Sequence, residues 1–203
     1  MSLSVRNGCH DSVTNVTLKS SVDFGTQSFN LSGATGKKKK ACVGLYISNA
    51  SLSKHFANFQ HMTAMEMSKD DAFVGKLESN DVQKLVMIHF CAKARMSEVI
   101  KKCLKVAKSD ALGVVMQKLP RTIYAGQTIG FAYCGEKEGI KVVFECDKVG
   151  NENSVVFDIV GEARNQLGSV IELLTKFGEG GEGEEESEGK AKLCARLPQL
   201  LRL

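Results

Sequence analysis

The chain has 203 residues, of which 43% are hydrophobic and 25% charged, and its net charge is +4. This length is sufficient for one good core or two small packed units, and no apolar run is long enough to span a membrane. The seven cysteines include no C-x-x-C pair, which argues against zinc-ribbon and thioredoxin-type sites and predicts free thiols in a reducing, intracellular compartment.

The first 36 residues are rich in Ser, Thr, Asn and Gly and contain only weak strand patterns. We expect residues 1–36 to form an N-terminal arm that can add a strand to the body. The first strong strand pattern is Ala41–Asn49, where Val43, Leu45 and Ile47 alternate with residues that face the other side.

Three more strands and a helix are predicted after this strand. The linker 50–60 has room for a helical turn, and strands are expected at His61–Met67 and Ala72–Leu77. The segment Val82–Lys93 fits either a strand or one helical face, and the preceding turn residues favour the strand. Ser97 is expected to cap an amphipathic helix that follows it.

The second half of the chain repeats this order. The predicted elements are strands at Ala111–Gln117, Thr122–Cys134, Ile140–Cys146 and Ser154–Val160 and a helix at Glu162–Phe177. The chain therefore predicts an α+β fold of two consecutive ββββα units, Ala41–Lys108 and Asp110–Phe177, in which a helix backs each antiparallel sheet. The predicted globular body spans residues 37–177.

The composition changes sharply after Phe177, to a stretch of glycine and glutamate. We expect residues 178–203 to begin as a disordered acidic tail, since this stretch has few side chains that can bury area. The tail ends in a leucine-rich tip, in which Leu197, Leu200 and Leu201 are predicted to bind a protein partner.

Two basic features favour contact with nucleic acid. The four adjacent lysines at 37–40 repel one another unless an anion is near, although a solvated loop or a nuclear-import signal also fits them. The second feature is a helix face, for which simple solvation is the alternative. Tyr46 is predicted to stack on bases. The predicted phosphate contacts are Lys37, Lys38, Lys39, Lys40, Lys93, Arg95, Lys101, Lys102, Lys105 and Lys108.

Catalytic signals are weaker. No spacing brings His55, His61 and His89 together, and the sequence contains no G-x-S-x-G, H-E-x-x-H or G-x-x-x-x-G-K-[ST] motif. We therefore expect a protein that is not an enzyme and has no metal site and no cofactor.

The run from Gly36 to Val43 and the two ββββα units resemble the whirly family and the related PUR-repeat proteins, which bind single-stranded DNA or RNA. The resemblance covers residues 37–177, but the tryptophan-containing segments of the family are absent. It implies that single strands lie along a sheet surface with little sequence preference, that the protein forms homo-oligomers, and that it acts in the nucleus or wherever nucleic acid is processed. The acidic tail would compete for the basic surface.

Two other functions fit the same features. A structural or assembly protein, such as a clamp-like ring or a virus-type coat or scaffold subunit, would use the C-terminal tip as its interaction peptide. A histone-chaperone-like protein would use the glutamates of the tail to bind basic partners. Removal of Lys37–Lys40 distinguishes nucleic-acid binding from the assembly function, because it should abolish nucleic-acid binding and leave assembly intact.

Overall fold

The computed structural model describes residues 9–24, 26–37, 40–107, 117–135, 140–145, 154–159 and 184–202. Its strands are β1 Cys9–Asp11, β2 Val16–Leu18, β3 Ser21–Phe24, β4 Gln27–Lys37, β5 Ala41–Ser48, β6 Lys84–Phe90, β7 Ala94–Arg95, β8 Thr122–Ile123, β9 Thr128–Tyr133, β10 Ile140–Glu145 and β11 Ser154–Ile159. Its helices are α1 Asn49–His55, α2 Ala64–Lys69, α3 Asp71–Glu78, α4 Met96–Ala107, α5 Glu184–Leu193 and α6 Leu197–Leu200, with a 3₁₀ turn at Ala57–Phe59.

The predicted α+β class is confirmed, but the two ββββα units are not found. Seven strands form one antiparallel sheet in the order β11-β10-β9-β6-β5-β4-β3. The two halves of the chain join where β6 pairs with β9, from Lys84 opposite Tyr133 to His89 opposite Thr128. Among the described residues, both halves therefore contribute strands to one seven-stranded sheet rather than to two four-stranded sheets.

The central strands follow the sequence pattern closely. All eight residues of β5 are buried, as expected of a strand covered on both faces. The ambiguous segment before residue 93 is the strand β6, which lies between β5 and β9. The helix predicted in this region is confirmed as α4, but it begins at Met96, so Ser97 lies in its first turn and the predicted Ser97 cap is wrong.

The strands predicted at His61–Met67 and Ala72–Leu77 are wrong, because helices α2 and α3 occupy these segments. Thr63 and Glu66 form a capping box: the Glu66 amide donates to Thr63 Oγ1 at 3.3 Å, and the Thr63 amide donates to Glu66 Oε2 at 2.7 Å. Asp70 caps α3 by accepting the Phe73 amide at 2.7 Å. Asp70, which was predicted to lie in the turn 68–71 between the two strands, is thus a helix cap.

The remaining predictions on the second half have mixed outcomes. The strand predicted over 122–134 is interrupted at 124–127 and forms β8 and β9. The strands β10 and β11 are confirmed. The helix predicted over 162–177 and most of the strand predicted over 111–117 lie outside the described residues.

The two ends of the chain are more ordered than the composition indicates. Residues 21–37 provide two strands of the main sheet, β3 and β4. The disorder expected of the acidic stretch is wrong for its residues 184–189, which belong to α5, and the leucine-rich tip contains α6. Leu193, Cys194 and Leu197 of this segment are buried in the main core.

The sheet has two covered faces. The helix-covered face carries Val43, Leu45 and Ile47 of β5 and packs against the helices and the C-terminal segment. The hairpin-covered face carries Cys42 and Tyr46 of β5 and packs against the β1–β2 ribbon and the residues beside it. In the residues described, no helix is both long enough and apolar enough to cross a membrane.

Candidate functional site

A cleft opens in the helix-covered face, between β5 and the helices α2, α3 and α5. It measures about 250 Å³ when its open mouth is included. The free space inside is close to the size of a single water molecule. Its lining is mostly apolar and consists of Leu45, Ser68, Phe73, Val74, Leu77, Lys190, Leu193 and Cys194.

An aromatic cluster fixes one wall of the cleft. The ring centroids of Phe56 and Phe73 are 5.5 Å apart, and those of Phe59 and Phe73 are 5.2 Å apart in an edge-to-face contact. Phe73 lies in the first turn of α3, so the Asp70 cap that starts this helix also sets the position of the ring. The wall is therefore built from the linker after β5 and the start of α3.

The opposite wall is the end of α5, which binds to a β-bulge in β4. The register between β4 and β5 shifts between Leu31 and Gly33, and Ser32 lies at this shift. Ser32 Oγ lies 3.0 Å from the Leu45 carbonyl oxygen and 2.9 Å from that of Leu193. The Arg196 amide donates to the Ser32 carbonyl at 2.8 Å. The bulge thus joins the C-terminal segment to the sheet beside the cleft.

Two polar side chains and one thiol complete the lining. Ser68 Oγ donates to the Met65 carbonyl at 2.8 Å, which satisfies it within α2. Burial raises the pKa of Cys194 to about 12, so this side chain is a neutral thiol at physiological pH. Lys190 is partly exposed and brings a positive charge to the cleft. The lining thus combines mostly apolar side chains with one cation, Lys190.

A second cation, Lys84, is buried on the same face of the sheet. Lys84 Nζ donates to the carbonyl oxygens of Leu77 at 2.7 Å and Ser79 at 3.0 Å, at the C-terminal end of α3. Burial lowers the pKa of Lys84 to about 8, while Glu78 opposes the shift. Its two carbonyl contacts and its place at a helix C-terminus give Lys84 a structural role.

The predicted phosphate contacts do not form one site. Lys37 ends β4, Lys38 and Lys39 lie outside the described residues, and Lys40 is exposed beside β5. The cations Lys93, Arg95 and Lys101 are exposed near the start of α4. Lys102 and Lys105 belong to α4, but only their backbone is described. Lys108 lies outside the described residues.

Tyr46 and the C-terminal tip do not have the exposure their predicted roles need. Tyr46 is 1% exposed, and its hydroxyl donates to the Lys19 carbonyl at 3.0 Å, so no base can stack on its ring. Leu197 is fully buried, and Leu200 and Leu201 pack against the same core. The leucines of the tip therefore bind within their own chain.

The candidate catalytic residues are also placed apart from one another. His55 ends α1, His61 follows the 3₁₀ turn, and His89 Nδ1 lies 3.1 Å from Thr128 Oγ1 on the sheet. Across the described part of the chain, no group of three His, Cys, Asp or Glu side chains is arranged to hold a metal ion.

Sequence reasoning missed most of the cleft lining. Ser68, Val74, Leu193 and Cys194 were assigned to a turn, a strand or a tail. The capping box at Thr63 and Glu66 was a sequence signal for α2. Nothing local indicated that Leu193 reaches the core, because the segment before it is strongly acidic.

No protein-family model matches the chain, and no curated protein sequence matches it. Among solved structures, the chain is similar to a fatty-acid binding protein of Arabidopsis thaliana. The two share 16% sequence identity with a TM-score of 0.57, and the match covers 95% of this chain and 99% of the other. At this identity the likeness shows the fold.

These findings correct the resemblance to whirly and PUR-repeat proteins. The fold is similar to that of the fatty-acid binding protein, and the described strands of both halves form one seven-stranded main sheet in place of two ββββα units. The nucleic-acid function and partner inferred from that resemblance are wrong, and the buried Tyr46 removes the predicted stacking surface. The assembly alternative loses its interaction peptide, because Leu197 is buried in this chain's own core. Homo-oligomer formation and the intracellular compartment stay predictions.

Proposed function

We propose that the protein binds a single-chain lipid with an acidic end, such as a fatty acid, and that it does so without catalysing a reaction. The observation that carries this proposal is the apolar cleft between β5 and helices α2, α3 and α5, with Lys190 among its lining residues. The fold shared with a fatty-acid binding protein supports the same ligand class.

The chemistry of the lining supports both ends of such a ligand. Leu45, Phe73 and Leu193 offer apolar contacts to an acyl chain, and burial of each CH₂ group contributes about 0.8 kcal/mol. Lys190 offers the opposite charge to a carboxylate. A carboxylate paired with an ammonium group fixes the direction in which the chain enters.

The size of the cleft adds a requirement. Pockets that bind small molecules measure about 300–1,000 Å³, whereas the free space in this cleft is close to the size of a single water molecule. A lipid therefore enters only if α5 or the helix pair α2–α3 moves away from the sheet. Ligand binding and displacement of α5 from Ser32 are expected to occur together.

Titration of the delipidated protein with fatty acids of increasing chain length tests the proposal. Isothermal titration calorimetry suits this protein because it contains no tryptophan for intrinsic fluorescence. We expect affinity to rise with chain length and the heat-capacity change of binding to be negative, since apolar surface is buried. Absence of binding for every chain length would overturn the proposal.

Val74→Trp tests the location of the site, since Val74 lines the cleft and is only partly buried. The larger side chain is expected to fill the cleft and reduce affinity at least about tenfold, by excluding acyl groups worth more than about 1.4 kcal/mol. Val16→Trp is the matched control, because Val16 is a partly buried valine against the other face. Equal affinities for the two variants would place the site elsewhere.

Lys190→Ala tests the anionic end of the ligand. The variant is expected to bind fatty acids more weakly and their neutral methyl esters as the wild type does. Lys192→Ala is the control. Lys192 lies on the same helix but is not among the lining residues, and its Nζ pairs with Glu188, one helical turn earlier, at 3.0 Å. A loss that is the same for the acids and the esters would contradict the assigned charge contact.

A further inference from the structure

We infer that one end of the sheet is a docking surface for membranes that contain anionic lipids. This surface, the basic tip, comprises Lys40, Lys93, Arg95, Lys101, Arg121 and Tyr124. The choice of a membrane as the occupant rests on the proposed function, since fatty acids partition into bilayers. The surface itself does not depend on that function.

Backbone contacts bring these residues together from three parts of the chain. The Cys91 amide donates to the Lys40 carbonyl at 2.9 Å, which places Lys40 beside the turn that carries Lys93. Arg95 pairs with Thr122 in the β7–β8 ribbon, and the Met96 amide donates to the Arg121 carbonyl at 2.9 Å. These contacts place the backbones of Lys40, Arg95 and Arg121 at one end of the sheet, and Lys101 follows in the second turn of α4.

The charge of the basic tip is largely uncompensated. All five cations are exposed, and no described carboxylate forms an ion pair with any of them. Glu98, in the first turn of α4, is the exposed carboxylate nearest in sequence. A cluster of this composition attracts an anionic surface, and each Lys or Arg near such a surface increases membrane partitioning about fivefold.

Tyr124 distinguishes the basic tip from an ordinary solvated patch. Its side chain is 56% exposed, which makes it one of the two most exposed large hydrophobic residues described. Lys93 Nζ lies 5.8 Å from the centroid of its ring. Tyrosine favours the boundary between lipid head groups and acyl chains, where the ring and the hydroxyl are both accommodated.

A membrane fits this combination better than a polyanion in solution does. A bilayer presents phosphates and an apolar boundary at the same surface, which matches the cations and the tyrosine. It is also the source from which a carrier of single-chain lipids collects its ligand or the place where it releases it. The basic tip would bind the protein reversibly to the membrane where the ligand is collected or released.

Co-sedimentation of the full chain with vesicles tests the inference. The vesicles are phosphatidylcholine alone and phosphatidylcholine with 30% phosphatidylserine, each at about 50 and 200 mM salt. The test variant is Lys93→Ser/Arg95→Ser/Arg121→Ser. The control is Lys19→Ser/Lys54→Ser/Lys69→Ser, which removes three exposed cations elsewhere and leaves the same net charge. Calorimetric titration with a fatty acid follows for both variants.

We expect the wild type and the control to bind the anionic vesicles, with binding weakened by salt. The test variant should lose more than about tenfold in partitioning and keep its fatty-acid affinity. Tyr124→Ser should weaken vesicle binding and leave its salt dependence unchanged. The vesicle results would support membrane docking by the basic tip even if no fatty acid bound to the cleft. Each proposal can therefore be rejected without rejecting the other.

Three outcomes would overturn the inference. The wild type could fail to bind anionic vesicles at low salt, or the test variant and the control could bind equally well. Tighter binding to a single-stranded 30-mer than to the vesicles, lost in the test variant, would assign the basic tip to a different partner.

Discussion

The two faces of the seven-stranded sheet are covered in different ways. On the hairpin-covered face, one continuous ribbon lies so close that a methyl group added at Gly44 would be 2.6 Å from Leu18 Cδ1. On the helix-covered face, α3 and α5 come from distant parts of the chain and leave a cleft between them. The comparison indicates that the cleft arises where elements from distant parts of the chain meet.

Leu197→Ala should have the largest effect, because it removes a fully buried side chain from the segment that closes the helix-covered face. We expect the free energy of unfolding to fall by about 2–5 kcal/mol. Urea denaturation followed by circular dichroism measures this change. Leu200→Ala, at a partly buried position of α6, should cost less. Equal, small losses would mean that α6 does not close this face.

The pH dependence of stability should differ between the two faces. The pKa of Lys84 falls from 10.5 to about 8 in the folded protein, so between these values the unfolded chain holds more protons. The stability of the wild type relative to Lys84→Met should therefore rise between pH 8 and 10.5, by roughly 3 kcal/mol at most. Denaturation of both proteins across this range measures the difference.

A side chain on the hairpin-covered face, Cys42, should change stability with pH in the opposite direction. Burial raises the pKa of Cys42 from 9.0 to about 12, so the folded protein holds the extra proton above pH 9. The stability of the wild type relative to Cys42→Ala should fall as the pH rises through this range. If the stability difference between the wild type and Lys84→Met, or between the wild type and Cys42→Ala, did not change with pH, the side chain concerned would be hydrated in the folded state.

Two glycine variants compare how closely the covering elements approach the sheet at one point on each face. A Cβ atom at Gly33 would lie 2.1 Å from the backbone oxygen of Lys192, whereas one at Gly44 first meets the flexible end of Leu18. Gly33→Ala should cost about 1–3 kcal/mol and displace α5, and Gly44→Ala should cost less. Hydrogen exchange is the informative measurement, and only Gly33→Ala should lower protection in α5.

Tyr46→Phe should have the smallest effect. It removes the hydroxyl that donates to the Lys19 carbonyl and keeps the buried ring, so we expect a loss of about 1 kcal/mol. Fatty-acid affinity should be unchanged, because Tyr46 lies on the face without the cleft. Weaker fatty-acid binding by this variant would contradict the functional separation of the faces.

The sequence predicts the parts of the fold that local patterns determine. The alternation in β5, the apolar run of β6 and the amphipathic pattern of α4 each identify an element from neighbouring residues alone. The helices α2 and α3 were mistaken for strands because they are short, and because Ser and Asp favour turns and helix caps alike. The capping box at Thr63 was the stronger signal.

The cleft was beyond local patterns because its walls are distant in sequence. The sequence predicted an N-terminal arm that can add a strand, but it did not predict that two glycines of this arm are closely approached by other chain segments. Gly33 leaves room for the backbone of Leu193, and Gly36 leaves room for Asp11 and Thr14. These contacts depend on the tertiary fold, and a single sequence gives no sign of them.

The attachment of α5 at Ser32 also bears on how the chain folds as it is synthesised. Ser32 of the β4 bulge is synthesised early, but its partner Leu193 lies 161 residues further along the chain and emerges much later. Until then, Leu45 and Phe73 lack their cover and expose apolar surface to the cell. Closure of the helix-covered face is therefore expected to be a late step of folding during synthesis, after α5 has left the ribosome.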